Sequence, residues 1–241
     1  MKKIALITGA NKGIGFETAR QLAQAGIRVI IGARDSAKGE AAAAKLRADG
    51  LDVSALALDV TNGDSIAAAV ATVSSAYGQL DILINNAGVL LDEKGITTSQ
   101  QTLQTWRQTF DTNLFGVIAV TQAFLPLLKK AVAGRIVNLS SILGSLTLHS
   151  DPKSPIYGYA VPAYNASKSA LNAWTVQLAV ELKDTAVKVN AAHPGHVQTD
   201  MGGAEAPMAV IDGAKTSVQL ALLDATGPNG GYFHLGQALP W

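Results

Sequence analysis

The sequence contains no cysteine, and this absence removes several kinds of site from consideration. Disulfides, thiolate metal ligands and cysteine nucleophiles all need a sulfhydryl group, so none of them is expected. A chain without cysteine also suits a reducing compartment. We therefore expect a cytoplasmic protein.

Charge is scarce as well, since Asp, Glu, Lys and Arg make up 15% of the 241 residues and the net charge is +1. Nucleic acids and acidic membrane surfaces are bound through concentrated basic faces, and the sequence has no basic block. We expect neither partner. The four histidines, His149, His193, His196 and His234, lack metal-ligand spacing, so no metal site is expected.

Long apolar runs are missing too. The most apolar stretch, near residues 117–128, is interrupted by Thr121, Gln122 and Pro126, and it predicts no membrane span. The N-terminal run Ile4–Ile7 is too short for the apolar region of a signal peptide, and it is more typical of a buried strand.

What the sequence does contain is a regular alternation of short β-branched runs and longer helical patterns. The predicted strands are Ile4–Ile7, Arg28–Ile31, Val53–Ala57, Ile82–Ile84, Arg135–Leu139, Lys188–Ala191 and, more weakly, Tyr232–Phe233. The predicted helices are Ile14–Ala25, Ala37–Ala48, Asp64–Tyr77, Leu103–Lys130 with a break near Asn113, Ala163–Lys183 and Val210–Leu223. Several strands are apolar throughout, as in parallel sheets covered on both faces. The pattern predicts one α/β domain over residues 1–241, with a Rossmann-like doubly wound parallel sheet of about seven strands and helices on both faces.

The first predicted strand leads into TGANKGIG, a turn rich in glycine. Gly9, Gly13 and Gly15 would let the backbone approach a pyrophosphate, and the helix that follows would favour the anion with its N-terminus. Three glycines alone also fit a tight structural turn. Their position directly after the first strand of a βαβ unit favours dinucleotide binding.

The end of the second strand, IIGARD, bears on the choice of cofactor. An NAD site usually has a carboxylate there that holds the ribose 2′-hydroxyl. Arg34 instead suits a 2′-phosphate, since a guanidinium makes paired hydrogen bonds to phosphate oxygens. Lys12 would add a second positive charge. Asp35 is the competing signal for NAD, and both basic residues also fit an ordinary solvated surface, but we expect NADPH/NADP+ rather than NADH.

The stretch AYNASKSAL places Tyr164 and Lys168 four residues apart, on one face of a helix. A phenol has an ordinary pKa of about 10, and a nearby ammonium favours the phenolate and lowers that value. Tyr164 would then serve as a general acid toward a carbonyl oxygen. The same spacing also arises by chance in exposed pairs.

Six short motifs in order resemble the short-chain dehydrogenase/reductase family in its compact single-domain form, over essentially the whole chain. They are T-G-x-x-x-G-x-G at Thr8–Gly15, N-N-A-G at Asn85–Gly88, Asn113, the serine pair after the fifth strand, Y-x-x-x-K, and P-G at Pro194–Gly195. The resemblance implies a catalytic tetrad of Asn113, Ser141, Tyr164 and Lys168.

The resemblance also gives each member of the tetrad a role. Ser141 would hydrogen-bond the substrate oxygen at the carboxyl end of the sheet, with Ser140 as its rival. The Asn113 amide would hold a water that connects Lys168 to solvent, and otherwise Asn113 marks a helix break. Lys168 would also reach a ribose hydroxyl.

The same resemblance implies the cofactor contacts. They are Gly9, Asn11, Lys12, Gly13, Ile14, Gly15, Arg34, Asp59, Val60, Asn86, Ala87, Gly88, Tyr164, Lys168, Pro194, Gly195, Val197 and Thr199. Asp59 and Val60 would lie at the adenine, and Thr199 would bond the nicotinamide carboxamide. His196 departs from an aromatic residue common at that position, and it either lines the substrate pocket or is a plain loop residue.

GANKGIG with GARD most resembles the carbonyl reductase branch, which uses NADPH. The segment 142–163 is longer than in the shortest family members, and its prolines predict an ordered irregular loop in which Tyr157 and Tyr159 face substrate or pack the loop down. The family often pairs subunits through the helices 103–130 and 163–183. A homodimer or homotetramer is therefore expected.

The expected activity is reduction of a ketone or aldehyde, a small-molecule carbonyl substrate, by NADPH. A 3-oxoacyl-thioester reductase is the alternative within the same chemistry, and a non-catalytic NADP-binding sensor or scaffold is the alternative of another class. The substrate pocket is expected near Leu90–Ile96, Ile142–Ala160 and His196–Val210, a moderately apolar set of segments.

Overall fold

The structure is a computed structural model that describes residues 2–241. Within these residues the chain forms eight strands: β1 (Ile4–Thr8), β2 (Arg28–Ala33), β3 (Val53–Ala57), β4 (Ile82–Asn85), β5 (Arg135–Leu139), β6 (Lys188–Ala192), β7 (Tyr232–His234) and β8 (Gln237–Ala238). They form one sheet in the order β3-β2-β1-β4-β5-β6-β7-β8. Strands β1 to β7 are parallel, and β8 pairs antiparallel with β7.

The helices connect these strands and cover both faces of the sheet. They are α1 (Gly13–Gln24), α2 (Ser36–Ala48), α3 (Gly63–Tyr77), α4 (Leu103–Phe110), α5 (Gly116–Leu128), α6 (Leu146–Ser150), α7 (Pro162–Glu181), α8 (Val210–Gly213) and α9 (Lys215–Ala221). A π-helical turn, Asp111–Phe115, joins α4 to α5, and short 3₁₀ turns occupy Thr98–Gln100 and Ile142–Gly144.

Two hydrophobic cores hold the layers together, one on each face of the sheet. Val73, Phe124 and Leu178, from α3, α5 and α7, pack in one core, and Leu22 and Leu46, from α1 and α2, pack in the other. The inner strands are largely apolar because both of their faces are covered, and β1 is buried at all five of its positions.

The strand order reverses between β1 and β4. The chain winds from β1 outward through β2 and β3, and then returns to place β4 on the other side of β1. The loops that follow β1 and β4 therefore diverge to opposite faces and leave a crevice at the carboxyl ends of the strands, where open α/β sheets bind ligands. The predicted doubly wound parallel fold is confirmed.

Three predicted details were wrong. The sheet has an eighth strand, β8, because Leu235 and Gly236 take positive φ and turn the chain back along β7. The predicted helix Val210–Leu223 is two helices, since Ala214 ends α8 before Lys215 begins α9. The segment expected as an irregular loop after Ser141 contains a 3₁₀ turn and α6, which Ser145 caps through its hydroxyl.

The expectation that no stretch approaches a membrane span was also wrong, because one helical run is long and apolar enough to do so. The helical run Leu103–Leu128 has 26 residues and is apolar enough to cross a membrane on length and composition alone. Half of its most apolar window is buried inside the protein, where Val120 and Phe124 belong to a core. Packing against the sheet accounts for its apolar character.

Candidate active site

The glycine loop after β1 is fastened to the segment after β4. The Thr8 hydroxyl accepts hydrogen bonds from the backbone N–H groups of Asn86 and Ala87, both at 3.0 Å. The Asn86 side chain donates to the carbonyl oxygens of Thr8 and Gly9 at 2.8 and 3.2 Å. Gly9 has φ +63°, and a Cβ there would lie 2.9 Å from the Ala87 Cα, so only glycine fits. Gly15 packs as closely against Asn86.

The start of α1 forms an open cradle for an anion. Lys12 occupies the N-cap position, but no side chain caps the helix. Its first N–H groups, near Gly13 and Ile14, are therefore the kind that a phosphate binds. Gly13 has φ +57°, and a Cβ there would lie 3.5 Å from the Thr199 side chain, so a larger residue would fill the cradle. These residues fit a dinucleotide pyrophosphate.

At the end of β2, Arg34 and Asp35, the two residues that bear on cofactor choice, lie in different environments. Arg34 is exposed, and no carboxylate within residues 2–241 pairs with it. Asp35 caps α2, since its carboxylate accepts from the Lys38 backbone N–H at 3.0 Å. Lys12, expected to act with Arg34, pairs instead with Asp200 at 2.6 Å. Both partners of that pair are exposed, and such pairs contribute little to stability.

The remaining predicted cofactor residues lie along the same rim. The Asp59 carboxylate accepts from Thr61, and Val60 packs against Gly116 at the start of α5. Asn11 is partly buried beside the glycine loop.

Beyond β6, Pro194 is buried, Gly195 has φ +93°, and Val197 forms a parallel bridge to Met208. Thr199 accepts from the Gly202 N–H at 3.1 Å and faces Gly13 across the cradle.

Tyr164, Ser141 and Lys168 meet at the carboxyl end of β5. The Ser141 hydroxyl lies close enough to the Tyr164 phenol to lower its pKa slightly, and the Lys168 Nζ lies 5.5 Å from the centre of the Tyr164 ring. The Lys168 ammonium donates to the Leu139 carbonyl at 2.7 Å. Gly88 lies beside the ammonium, since a Cβ there would be 3.6 Å from Nζ. All three side chains are buried.

Burial governs the titration of this pair. It raises the pKa of Tyr164 to about 12, against a smaller opposing effect of the Ser141 hydrogen bond. It lowers the pKa of Lys168 to about 8. The sequence predicted a lowered tyrosine pKa, and that direction was wrong for this structure. A low dielectric disfavours both charged forms, and here this effect exceeds the attraction between them.

Asn113 lies in the π-helical turn, fully buried, but its amide is already occupied. The side-chain oxygen accepts from the Val89 N–H at 2.8 Å, and the nitrogen donates to the Val89 carbonyl at 2.9 Å and to the Ser167 hydroxyl at 3.0 Å. The amide thus braces the segment after β4 against α7. The predicted role of the amide as a water holder does not match these contacts, because both amide N–H groups have protein partners.

The two serines after β5 point to different partners. Ser140 donates to the Asn172 side chain at 2.6 Å, inside α7. Ser141 faces Tyr164 and caps the 3₁₀ turn through the Leu143 N–H. The geometry therefore brings Ser141, rather than Ser140, to the phenol.

Sequence reasoning missed His193. Its Nδ1 accepts from the backbone N–H of Ile142 at 3.1 Å and, more weakly, from that of Gly195 at 3.4 Å. Burial, assisted by nearby His234, lowers the pKa of His193 to about 3, so the ring stays neutral and can accept. It ties the Ser141 turn to the P-G segment. Its position directly before that motif was the available signal.

The predicted substrate segments surround the site with mixed exposure. Tyr157 and Tyr159 are each more than half exposed, so they do not pack the loop down. His196 is exposed, and its Nε2 contacts the Gly202 carbonyl at 2.8 Å. Among residues 2–241 no three His, Asp or Glu side chains group as a metal site would require.

The fold belongs to the Rossmann-like class of doubly wound α/β proteins. A family model described as short chain dehydrogenase matches residues 3–209. Carbonyl reductase (NADPH) 1 of Mus musculus is 33% identical to the chain, covering 100% of this chain and 99% of the relative. The structure of NADPH-bound carbonyl reductase from chicken fatty liver superposes with a TM-score of 0.86 at 31% identity, covering 100% and 99% of the two chains.

A 3-oxoacyl-(acyl-carrier-protein) reductase of Synechocystis sp. is 34% identical over 83% of this chain and 76% of its own. The chain belongs to the short chain dehydrogenase family, and within it to the carbonyl reductase type.

Proposed function

We propose that this protein reduces a ketone or aldehyde to an alcohol with NADPH as the reductant. The observation that carries the proposal is the meeting of the Tyr164 phenol, the Ser141 hydroxyl and the Lys168 ammonium beside the glycine loop. An acid, a hydrogen-bond donor and a buried cation at one point match the needs of carbonyl reduction.

When bound, the nicotinamide would supply the hydride that adds to the carbonyl carbon. Tyr164 donates its phenolic proton to the carbonyl oxygen, and its raised pKa keeps that proton in place at neutral pH. Ser141 hydrogen-bonds the same oxygen and steadies the negative charge that develops on it. Lys168, 5.5 Å from the ring, stabilises the phenolate that remains until the proton is replaced.

Two features support NADPH over NADH. Arg34 is exposed at the tip of β2 with no carboxylate partner among residues 2–241, and Asp35 is engaged as the cap of α2. The Asp35 carboxylate therefore already has a role that does not involve a ribose. The carbonyl reductases that resemble this chain are named for, or bound to, NADPH.

The test is oxidation of NADPH and of NADH by the purified protein against a panel of aldehydes, ketones and 3-oxoacyl thioesters. We expect turnover with NADPH, and Tyr164→Phe should lower it by at least about a hundredfold while NADPH still binds. Ser141→Ala should lose turnover, and the matched Ser140→Ala should keep it. Unchanged turnover in Tyr164→Phe would show that the proposed acid is wrong.

The same panel separates the alternatives. Preference for a thioester would favour the 3-oxoacyl-thioester reductase, for which the Synechocystis relative provides the support. NADPH binding without turnover of any compound would favour the sensor or scaffold.

We also propose that the protein is cytoplasmic and acts as a homodimer or homotetramer. Absence of cysteine supports the first proposal. Exposed apolar side chains on α4, the π-helical turn and α7 support the second, since Leu103, Phe115 and Val180 are each more than half exposed.

A further inference from the structure

The first turn of α7 is capped by a residue from a distant part of the chain. The Asp92 carboxylate accepts from the backbone N–H of Ala163 at 2.8 Å and from that of Tyr164 at 3.0 Å. Each oxygen takes one of the two bonds. Asp92 is therefore bonded directly to the backbone of the residue whose phenol forms the candidate acid.

These two N–H groups have no local partner. The first N–H groups of a helix lack intrahelical acceptors. Val161, at the N-cap position, offers no side-chain cap, and Pro162 has no N–H to cap. Asp92 fills the place that Ser, Thr, Asp or Asn at the N-cap usually occupies.

The segment that carries Asp92 is braced on both sides. Before it, Asn113 pairs with the N–H and the carbonyl of Val89. After it, the buried Gln101 amide donates to the Glu93 carbonyl at 2.8 Å and accepts from the Glu93 N–H at 3.2 Å. Two side-chain amides thus bond the segment in the way that a neighbouring strand would. The backbone that carries Asp92 is therefore held in place at Val89 on one side and at Glu93 on the other.

The Tyr164 backbone is held from two directions as a result. Asp92 binds its N–H, and the Ser167 hydroxyl donates to its carbonyl oxygen at 2.7 Å. Ser167 in turn accepts from Asn113. Both contacts lead back to the braced segment 89–93. Small errors in the placement of a reacting group are costly to rate, so this double attachment bears on catalysis as well as on stability.

We propose that Asp92 is a positioning residue that holds the start of α7 in the register in which the Tyr164 phenol meets Ser141. The inference rests on the proposed function for its catalytic consequence. Because Asp92 lies inside the predicted substrate segment Leu90–Ile96, it also links the wall of the pocket to the acid.

The experiment compares Asp92→Asn with Asp92→Glu and with a matched control, Asp224→Asn. Each Asp92 oxygen accepts from one N–H, so Asn would turn its NH2 group toward one of the two N–H groups and satisfy only the other, whereas Glu keeps two acceptor oxygens. The Asp224 carboxylate also accepts from two backbone N–H groups, those of Thr226 and Gly227, both through Oδ1, and it lies beyond α9, near the amino end of β5. Asp224→Asn can keep both bonds, so it controls for the loss of a carboxylate charge at a backbone cap. Each variant is assayed for kcat and KM with NADPH and the most active panel carbonyl, for NADPH affinity by fluorescence, and for amide hydrogen exchange at residues 163–170.

We expect Asp92→Asn to lower kcat by about tenfold or more, with NADPH affinity within about twofold of the parent. Amide exchange at residues 163 and 164 should become faster. Asp92→Glu should recover part of kcat, and Asp224→Asn should keep kcat whatever it does to stability. A kcat in Asp92→Asn equal to that of the parent and of Asp224→Asn would overturn the proposal, whatever the variant does to stability.

Hydrogen exchange separates failure of this proposal from failure of the proposed function. If no panel compound is turned over by the parent protein, the exchange rates of residues 163 and 164 still report whether Asp92 holds the turn. Unchanged exchange in Asp92→Asn would overturn the proposal without any assay of activity.

Discussion

At the scale of single residues, Lys168 carries a buried charge whose cost depends on pH. Its pKa is about 8 in the folded protein, below the ordinary value near 10.4 of an unfolded chain. Below pH 8 the ammonium is charged in both states, and the folded state bears the full cost of its burial. The cost disappears as pH rises from 8 toward the unfolded value, because the unfolded state then binds more protons.

Lys168→Met should therefore stabilise the protein at pH 7 while it removes turnover. The gain in the free energy of unfolding should be on the order of 2 kcal/mol after the lost hydrogen bond to Leu139 is counted, and it should shrink by pH 10. Urea unfolding at the two pH values measures it. Lys188→Met is the control, since that ammonium also donates to a backbone carbonyl, at 2.6 Å, but is only half-buried. A less stable Lys168→Met at pH 7 would contradict the buried-charge account.

Arg34 and Asp35 are adjacent in the chain but indicate different cofactors, NADPH for Arg34 and NADH for Asp35. Arg34→Ala should lower kcat/KM for NADPH by about 10- to 100-fold and leave NADH nearly unaffected, since hydrogen bonds to charged groups contribute about 1.5–3 kcal/mol. Asp35→Ala should lower the unfolding midpoint through loss of the α2 cap, with NADH kinetics unchanged. Loss of NADH activity in Asp35→Ala would assign this carboxylate to the ribose instead.

At the scale of elements, the 3₁₀ turn Ile142–Gly144 lies directly on α7. A Cβ at Gly144 would lie 2.9 Å from the carbonyl carbon of Lys168 and 3.0 Å from its oxygen, and backbone atoms cannot rotate away. Gly144 is not among the residues with positive φ, so glycine is needed there because no side chain fits between the turn and α7.

Gly144→Ala should push the turn away from α7 and cost about 1–3 kcal/mol of stability, as overpacking does. It should also lower kcat, because Ser141 lies at the start of the turn and Lys168 opposite. Urea unfolding and steady-state kinetics measure the two effects. Gly63→Ala, at the start of α3 with nothing within 4 Å of the added Cβ, should change neither by much. Equal effects of the two substitutions would argue against close packing as the cause.

At the scale of the whole molecule, the apolar side chains left uncovered on α4 and α7 predict self-association. Leu103 is 72% exposed and Val180 is 61% exposed. Light scattering after size exclusion should give two or four times the 24.9 kDa chain mass. Leu103→Lys and Val180→Lys should each weaken the assembly, whereas Lys45→Ala, on the exposed side of α2, should leave it unchanged. A monomeric parent protein at micromolar concentration would contradict the prediction.

Most of the architecture could be read from the sequence, because covered parallel strands such as β1 carry an apolar run, Ile4–Ile7, and helices such as α3 show their period. Strand β8 could not be predicted, since it has two exposed residues and no pattern. The motifs located the candidate site, but its electrostatics depend on burial that spacing does not encode. Tyr164 shows this, because its neighbour predicted one direction of pKa change and its environment produces the other.

Contacts between residues far apart in the chain could not be predicted from the sequence either. Asp92 lies 71 residues before Ala163, and nothing local marks it as a helix cap. His193 was visible in the sequence as a histidine before P-G, yet its bonds to Ile142 and Gly195 require the sheet to be assembled first.

The π-helical turn Asp111–Phe115 holds one residue more than a regular α-helical turn would. There the Gly116 N–H reaches back five residues to the Asp111 carbonyl, one more than in a regular α-helix. Deleting one residue inside this turn would restore the regular ladder and leave the rest of the helix facing as it does now. Deleting one residue from α5 before Val120 would instead turn everything beyond it by about 100° and draw it back about 1.5 Å, and Val120 and Phe124 would leave the core. Single-residue gaps in related sequences should therefore fall at the π-helical turn rather than in α5, and engineers can shorten the chain more safely there.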